Sequence, residues 1–221
     1  QKAVIRYVST NGNRVLTTDE VTGKSGEAIA YSTTSQITEF KKQGYNLVSD
    51  EFTAGGAKVY DYDTARDQVY TVTLSERVEP VNPDNPTPQP NTPVNPGQPD
   101  SPRWPGTVEN LDNKESVSRT IHYVYEDGSK AKDDVVETLN FKRWSNVNLV
   151  TGHIDFQDWT TNDDTFDKVV SPTIAGYTAD KSEIPAVSGV QAKDQDRVET
   201  VTYRKDAQKA VIRYVSTNGN R

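Results

Sequence analysis

The sequence predicts an α+β, β-rich chain in which two tandem β-grasp (ubiquitin-like) domains are joined by a proline-rich linker, giving an elongated repeat. Three landmarks predict this arrangement because each occurs twice and in the same order. They are Ile-x-Tyr-Val followed by Asn-Gly or Asp-Gly (5–12 and 121–128), Gly-Tyr (44–45 and 176–177), and Val-x-Thr-Val-Thr (69–73 and 198–202). Two related domains therefore share the chain.

The first landmark is typical of a strand that runs into a tight turn. β-Branched and aromatic residues favour strands, and a following Asn-Gly or Asp-Gly favours a hairpin. The glycine supplies the positive φ that such a turn needs. Ile5 and Ile121 therefore each lie in the first strand of a domain.

The chain also begins to repeat itself. Residues 208–221 are identical to residues 1–14, which indicates a tandem array with a period of 207 residues. We therefore predict a first domain over 1–79, the linker over 80–105, a larger second domain over 106–206, and the start of the next repeat over 207–221.

In the first domain the pattern predicts the order ββαββ, with the first and last strands parallel in the centre and joined by a right-handed crossover. Thr33 and Gln36 resemble a helix capping box, Ile37 and Phe40 share one helix face, and Gly44 ends the helix. The predicted strands cover residues 3–9, 14–18, 45–48, 58–62 and 69–74.

The linker contains ten of the twelve prolines. Many are three residues apart, which places their rings on one edge of a polyproline II helix. Fully extended, the linker would span about 80 Å at ~3.1 Å per residue. We interpret it as a semi-rigid spacer; a ligand for a proline-reading domain is the alternative.

The second domain departs from the first between the shared landmarks. Its predicted strands cover 117–125 and 135–141, but no clear amphipathic helix follows. Ile5 and Gly44 are 39 residues apart, whereas Ile121 and Gly176 are 55 apart. These 16 extra residues are where we expect a feature specific to this domain.

Composition excludes several classes of function. The chain has no cysteine, so disulfides and thiol catalysis are unavailable, and its net charge is −7 with the excess acid in the second domain. An acidic surface without a basic stripe argues against nucleic acid and anionic membranes as partners. His122 and His153 lack the neighbours of a catalytic triad, so we predict that the chain is not an enzyme.

No cofactor is predicted, but structural calcium is an open alternative to solvated acidic turns. Carboxylate oxygens suit calcium, although neither acidic cluster matches the twelve-residue loop pattern. Three tryptophans are aromatic candidates. Trp104 is predicted to seat the linker on the second domain, while Trp144 and Trp159 could stack on a ligand or pack inside. The calcium candidates are Asp61, Asp63, Asp67, Asp163, Asp164 and Asp167.

The landmark residues resemble those of a known family. The segments around Tyr7, Tyr45 and Val69 are similar to a mucin-binding-protein domain. The segments around Arg119, Asp127, Trp159, Tyr177 and Tyr203 resemble the second module of Mub-type mucus-binding repeats from lactobacillar surface adhesins. The resemblance implies tandem β-grasp modules, display on a Gram-positive cell wall through a region outside this chain, and binding to mucin glycans, glycoproteins and immunoglobulins.

Two functions are therefore expected from the sequence. In one, tandem copies bind host mucus glycoproteins weakly and gain avidity from multivalency. In the other, the repeat is a stalk with no ligand of its own.

Overall fold

The computed structural model describes residues 1–215. Their regular secondary structure is mainly β-strand, with one α-helix and one 3-10 helix. In chain order the elements are β1 (Lys2–Ser9), β2 (Arg14–Thr22), α1 (Thr34–Lys42), β3 (Tyr45–Asp50), β4 (Gln68–Glu76), β5 (Val78–Val81), the 3-10 helix Gly106–Asn110, β6 (Lys114–Tyr125), β7 (Lys130–Lys142), β8 (Ser145–Asn148), β9 (Ile154–Phe156), β10 (Val169–Val170), β11 (Tyr177–Ala179), β12 (Glu183–Ile184) and β13 (Arg197–Lys205).

The chain forms two compact units whose boundaries differ from the predicted domains. The front unit comprises Gln1–Asn113 and Arg143–Asp158. The back unit comprises Lys114–Lys142 and residues 159–215. The segment 143–158 has the same length as the 16 extra residues of the second domain. It belongs to the front unit because β8 pairs with β5.

The main sheet of the front unit has the order β2-β1-β4-β3. β1 and β4 run parallel in its centre, as predicted, and each outer strand is antiparallel to its neighbour. The buried side of the sheet packs against α1 and the loops around it. The core consists of Ala3, Ile5, Tyr7, Ile29, Ile37, Phe40, Tyr45, Phe52, Tyr60, Val72 and Leu74.

Helix α1 forms where predicted, with Ile37 and Phe40 buried, but the capping box is wrong. Thr33 makes no side-chain cap bond. Its hydroxyl instead donates to Oδ2 of Asp50 at 2.6 Å, which ties the helix start to the end of β3. The predicted strand over 58–62 is also wrong, because in this stretch the structure has an isolated bridge at Val59.

A small sheet with the order β5-β8-β9 completes the front unit. Its own cluster contains Val81, Val108 and Val147, with Trp104 packed against them. Trp104 therefore packs the linker against Val108 and Val147, residues of the predicted second domain that belong to the front unit in the structure. It covers this cluster within the front unit.

The proline-rich segment folds back on itself rather than running as one extended helix. The amide of Trp104 donates to the carbonyl of Thr92 at 3.0 Å, and the amide of Val94 donates to the carbonyl of Pro102 at 2.9 Å. Asn91 and Gly97 have φ of 60° and 86°, which reverses the chain. Proline has no backbone N–H, but the residues between the prolines do. Their amides form the hydrogen bonds that fold the segment back, and the proline spacing alone did not predict these bonds.

The back unit repeats the strand arrangement of the front sheet. Its order is β11-β13-β6-β7, with β6 and β13 parallel in the centre. Its described residues contain no helix; the chain between β7 and β11 carries β10, which pairs with β12. Two separate clusters line the buried face. One contains Val117, Leu139, Phe141, Phe166, Val190 and Ala192; the other contains Ile121, Tyr123, Ile184, Val201 and Tyr203.

Arg119 lies between these two clusters and is 1% exposed. Its Nε donates to Oε2 of Glu137 at 2.7 Å, its Nη1 donates to the carbonyl of Pro185 at 2.9 Å, and its Nη2 donates to the carbonyl of Asp167. The guanidinium also lies 5.2 Å from the centre of the Phe166 ring. One buried charge thus holds two loop segments to the sheet.

The motif tyrosines Tyr7 and Tyr123 differ in hydrogen bonding. The Tyr7 hydroxyl bonds to that of Tyr31 at 2.9 Å, whereas the buried Tyr123 hydroxyl has no hydrogen-bond partner in the described structure. Burial raises the pKa of both tyrosines. We expect Tyr7→Phe to destabilise the front unit by about 1 kcal/mol, and Tyr123→Phe to leave the back unit equally or more stable.

Amide hydrogen exchange of β1 and β6, measured on the whole chain, reports the two units separately. Each substitution is the other's control, because both remove one hydroxyl from the same motif position. Equal losses in the two units would contradict the assignment of Tyr123 as unsatisfied.

Residues 207–215 have no regular secondary structure, and Val211, Ile212 and Tyr214 are exposed. They are the beginning of the predicted next repeat, whose residues 216–221 lie outside the described part. A first strand without its sheet cannot pair its own amides and carbonyls. Within 1–215 no helix is long and apolar enough to span a membrane.

Candidate functional site

A cleft of about 410 Å³ lies in the back unit, where the end of β7 meets the chain that re-enters the unit. We call it the β7 cleft. Lys142 and Thr160 exchange two backbone hydrogen bonds of 2.9 and 2.8 Å, which hold residues 160–163 against the strand. The cleft is lined by Lys114, Glu115, Thr138, Leu139, Asn140, Phe141, Lys142, Thr160, Thr161, Asn162 and Asp163.

The side chains exposed around the cleft are mainly amides, hydroxyls and charges of both signs. The Thr161 hydroxyl donates to the carbonyl of Asn140 at 2.8 Å, which fixes the re-entering chain beside that residue. Asn140 and Asn162 are exposed, and each amide offers both donors and acceptors. A concave surface with convergent polar groups over buried Leu139 and Phe141 suits a polyhydroxylated ligand.

The front calcium candidates are held by local bonds. Asp61 accepts from the amide of Asp63 at 3.1 Å, and Asp63 accepts from the amide of Ala65 at 3.0 Å. Asp67 pairs with Nζ of Lys2 at 2.9 Å. These carboxylates therefore shape a turn and an ion pair.

The calcium candidates of the back unit also form hydrogen bonds to separate partners. Asp163 accepts from the amide of Thr165 at 2.9 Å, and Asp164 accepts from the Thr165 hydroxyl at 3.0 Å. The amide of Asp167 donates to Glu137 at 3.1 Å. Across 1–215 no three acidic or histidine side chains group closely enough to hold a metal ion. Asp163 is the candidate that lines the β7 cleft.

The tryptophan candidates lie in different units. Trp144, in the front unit, is 43% exposed. Trp159, in the back unit, packs against the cluster around Phe166, with Nζ of Lys193 5.4 Å from its ring centre. Lys193 also pairs with Glu115, a residue of the cleft wall. Trp159 is thus a structural support near the cleft, while Trp144 offers an exposed ring.

The two histidines lie in different local settings. Nδ1 of His122 lies 2.9 Å from Oδ2 of Asp134 on the neighbouring strand, and both side chains are substantially exposed. The amide of His153 donates to the Thr151 hydroxyl at 3.2 Å, in the turn before β9.

The cleft residues Asn140 and Asn162 were not singled out from the sequence. The sequence signal that bears on them is the acidic stretch after Trp159, which includes Asn162 and Asp163. The sequence did not indicate that this stretch lies against β7, because the residues between them, 143–158, belong to the front unit.

Comparison with protein families finds two matches. Residues 1–76 match a family described as a mucin binding domain, and residues 108–207 match the Muc B2-like domain. No curated protein matches the chain.

Solved structures give a consistent result. The type 2 repeat of the mucus binding protein MUB from Lactobacillus reuteri is 28% identical, with a TM-score of 0.60, over 93% of this chain and 100% of that one. Mub-RV is 26% identical, with a TM-score of 0.73, over 94% and 100% of the two chains. A MucBP domain of an adhesion protein from Pediococcus pentosaceus is 35% identical over 42% and 99%, with a TM-score of 0.37.

Proposed function

We propose that this chain, which belongs to the Mub-type mucus-binding repeats, binds the glycans of host mucins weakly through the β7 cleft and gains strength from tandem copies. The observation that supports this most is that both halves match mucus-related binding families. The cleft adds a concave surface in the back unit that presents polar side chains over apolar ones.

Hydrogen bonding by the polar side chains of the cleft is consistent with weak binding by one repeat. Sugar hydroxyls exchange hydrogen bonds with water for hydrogen bonds with amides and carboxylates, so the net gain per bond is small. Identical sites along one chain raise the effective concentration of each site near a many-branched glycoprotein. Residues 208–221, identical to 1–14, support the presence of such copies.

We also propose a fold for the two main sheets, a role for the proline-rich segment and a cellular location. Both main sheets are β-grasp domains, supported by their shared order with parallel central strands. The proline-rich segment acts as a structured spacer. Display outside the cell on the wall of a Gram-positive bacterium, a binding rather than catalytic role, and immunoglobulins as further partners are supported by family membership.

The exposed ring of Trp144 is proposed as an auxiliary contact because an aromatic face gives a large contact area at low entropic cost. Calcium binding remains a prediction from the sequence, either at Asp61, Asp63 and Asp67 or at Asp163, Asp164 and Asp167. The local bonds of these carboxylates do not favour it.

Replacing both Asn140 and Asn162 with alanine is expected to reduce mucin binding by the whole chain at least tenfold. Both amides are exposed at the cleft, so their loss removes hydrogen bonds to ligand without opening the core. Surface plasmon resonance on immobilised mucin measures the affinity, and the melting temperature checks the fold.

Asn85→Ala is the matched control, because Asn85 is an exposed amide in the proline-rich segment, in the front unit. It should bind as the unaltered chain does. Unchanged binding by the cleft variant would remove the β7 cleft from the proposal. Binding lost equally in both variants would show a nonspecific surface effect.

A further inference from the structure

Among residues 1–215, nothing covers the end of the back sheet where β13 finishes. Tyr125 and Tyr177 are half-buried there, with ring centres 4.7 Å apart. With Glu126, Asp127, Tyr203 and Lys205 they line a depression of about 290 Å³. Gly176, beside them, has a φ of 79°, and a Cβ added to it would meet no atom within 4 Å.

The corresponding end of the front sheet is covered. Gly44 matches Gly176, since the amide of Arg77 donates to its carbonyl at 2.8 Å, just as the amide of Asp206 donates to the carbonyl of Gly176 at 3.0 Å. A Cβ added to Gly44 would lie 2.8 Å from Cβ of the buried Leu149. The two ends therefore share their backbone bonding but differ in what lies on them.

The cover of the front sheet is fixed by several contacts. The amide of Leu149 donates to the carbonyl of Arg77 at 2.9 Å. Nδ2 of Asn148 donates to Oε2 of Glu76 at 2.7 Å, and Val150 packs against the front core. These residues belong to or adjoin the small sheet that starts with β5, directly after β4. The module that follows the front sheet along the chain thus closes its end.

The module predicted to follow the back sheet is the next repeat, because residues 208–221 are identical to residues 1–14. Lys209 is the counterpart of Lys2, the first residue of β1, and three residues separate it from Lys205. Asp206 is itself held, because its Oδ1 accepts from the Thr178 hydroxyl at 2.6 Å. From Asp206 the chain reaches at most about 11 Å to Lys209. The next front unit must therefore begin beside Tyr177.

The front unit presents a matching end. β1 and β4 are parallel, so the loop 61–67 before β4 lies at the end where β1 starts, and Asp67 pairs with Lys2 there. Tyr62 in this loop is 79% exposed. An exposed aromatic residue suits a depression that is lined by aromatic rings.

We propose that the Tyr125–Tyr177 end of each back unit is the docking face for the front unit of the next repeat, which meets it with Tyr62. Successive repeats then form a fixed joint rather than a free hinge. The proposed joint between copies does not depend on mucin binding.

Because the chain has no cysteine, a single introduced cysteine can be labelled selectively, which allows a direct test. In a chain of two complete repeats, residues 1–207 followed by 1–206, Thr64→Cys is placed in either the first or the second copy. Thr64 is exposed in the loop that carries Tyr62, so the tyrosine is kept. The cysteine of the second copy should react with a maleimide several-fold more slowly than that of the first copy, which has no preceding repeat.

A flexible Gly/Ser stretch inserted after Ala207 should restore equal rates, because it releases the second copy from Asp206. Equal rates without the insertion would overturn the proposed joint.

A second measurement separates docking from ligand binding at the same tyrosines. The amide NMR signals of residues 126–128 and 176 should shift when the next front unit is added. They should not shift when N-acetylgalactosamine is titrated into the 221-residue chain. Shifts with the sugar but not with the added unit would overturn the joint and assign the depression to a ligand.

Discussion

Arg119→Met is expected to destabilise the back unit by about 3–5 kcal/mol. The substitution leaves Glu137 without its cation, and the carbonyls of Asp167 and Pro185 lose their donors. Removing the buried cation leaves the partly buried Glu137 carboxylate and two loop carbonyls unpaired, and together these losses exceed the net value of most single hydrogen bonds. Amide exchange of Val117 and Ile121, on either side of Arg119 in β6, reports the loss.

Two further variants are compared with Arg119→Met. Arg204→Met removes an exposed arginine of β13 that pairs with Glu126 at 3.3 Å, and it should change stability little. Adding Glu137→Met to Arg119→Met should recover part of the loss, since both charges are then gone. A loss for Arg119→Met no larger than that for Arg204→Met would contradict the role of Arg119 as the link between the two clusters.

Three tandem repeats are expected to bind a mucin-coated surface 10²- to 10⁴-fold more tightly than one. The gain comes from rebinding, because a site that dissociates stays close to other glycans while its neighbours hold the chain. Most of it should appear as slower dissociation. Surface plasmon resonance on chains of one, two and three repeats measures this.

Three-repeat chains with Asn140→Ala and Asn162→Ala in two of the three copies serve as the control. They should dissociate nearly as fast as a single repeat, because the array then holds one active cleft. Equal dissociation of one-repeat and three-repeat chains would contradict the proposed avidity.

The front sheet shows how far sequence patterns extend. The landmarks around Ile5 and Val69 predicted two strands that run parallel in the centre, and the structure confirms this. Local rules sufficed because strand propensity and turn glycines are encoded within a few residues. The pairing of β5 with β8 was not predicted, since Val78–Val81 and Ser145–Asn148 are short and far apart in sequence.

Arg119 illustrates a different limit. The alternation along β6 places its side chain on the same face as Val117 and Ile121, so its burial was open to inference. In the front unit the matching position is Ala3, also buried. The larger, charged residue is accommodated because distant loop carbonyls accept its hydrogen bonds, and no sequence pattern indicates those partners.

The acidic clusters show why residue type alone did not identify a site. Asp-x-Asp patterns suggested calcium, yet Asp61 and Asp63 bond the backbone two residues ahead, which is the common role of aspartate in turns. The β7 cleft, by contrast, depends on residues 140 and 162 meeting after a long excursion of the chain. Its position follows from tertiary structure.

The most direct test of the proposed function is equilibrium binding of the 221-residue chain to purified mucin, before and after enzymatic removal of the glycans. We predict saturable, weak binding that disappears with the glycans and drops at least tenfold in the Asn140→Ala, Asn162→Ala variant. The absence of saturable binding to intact mucin would contradict the account and identify the repeat as a stalk without a ligand of its own.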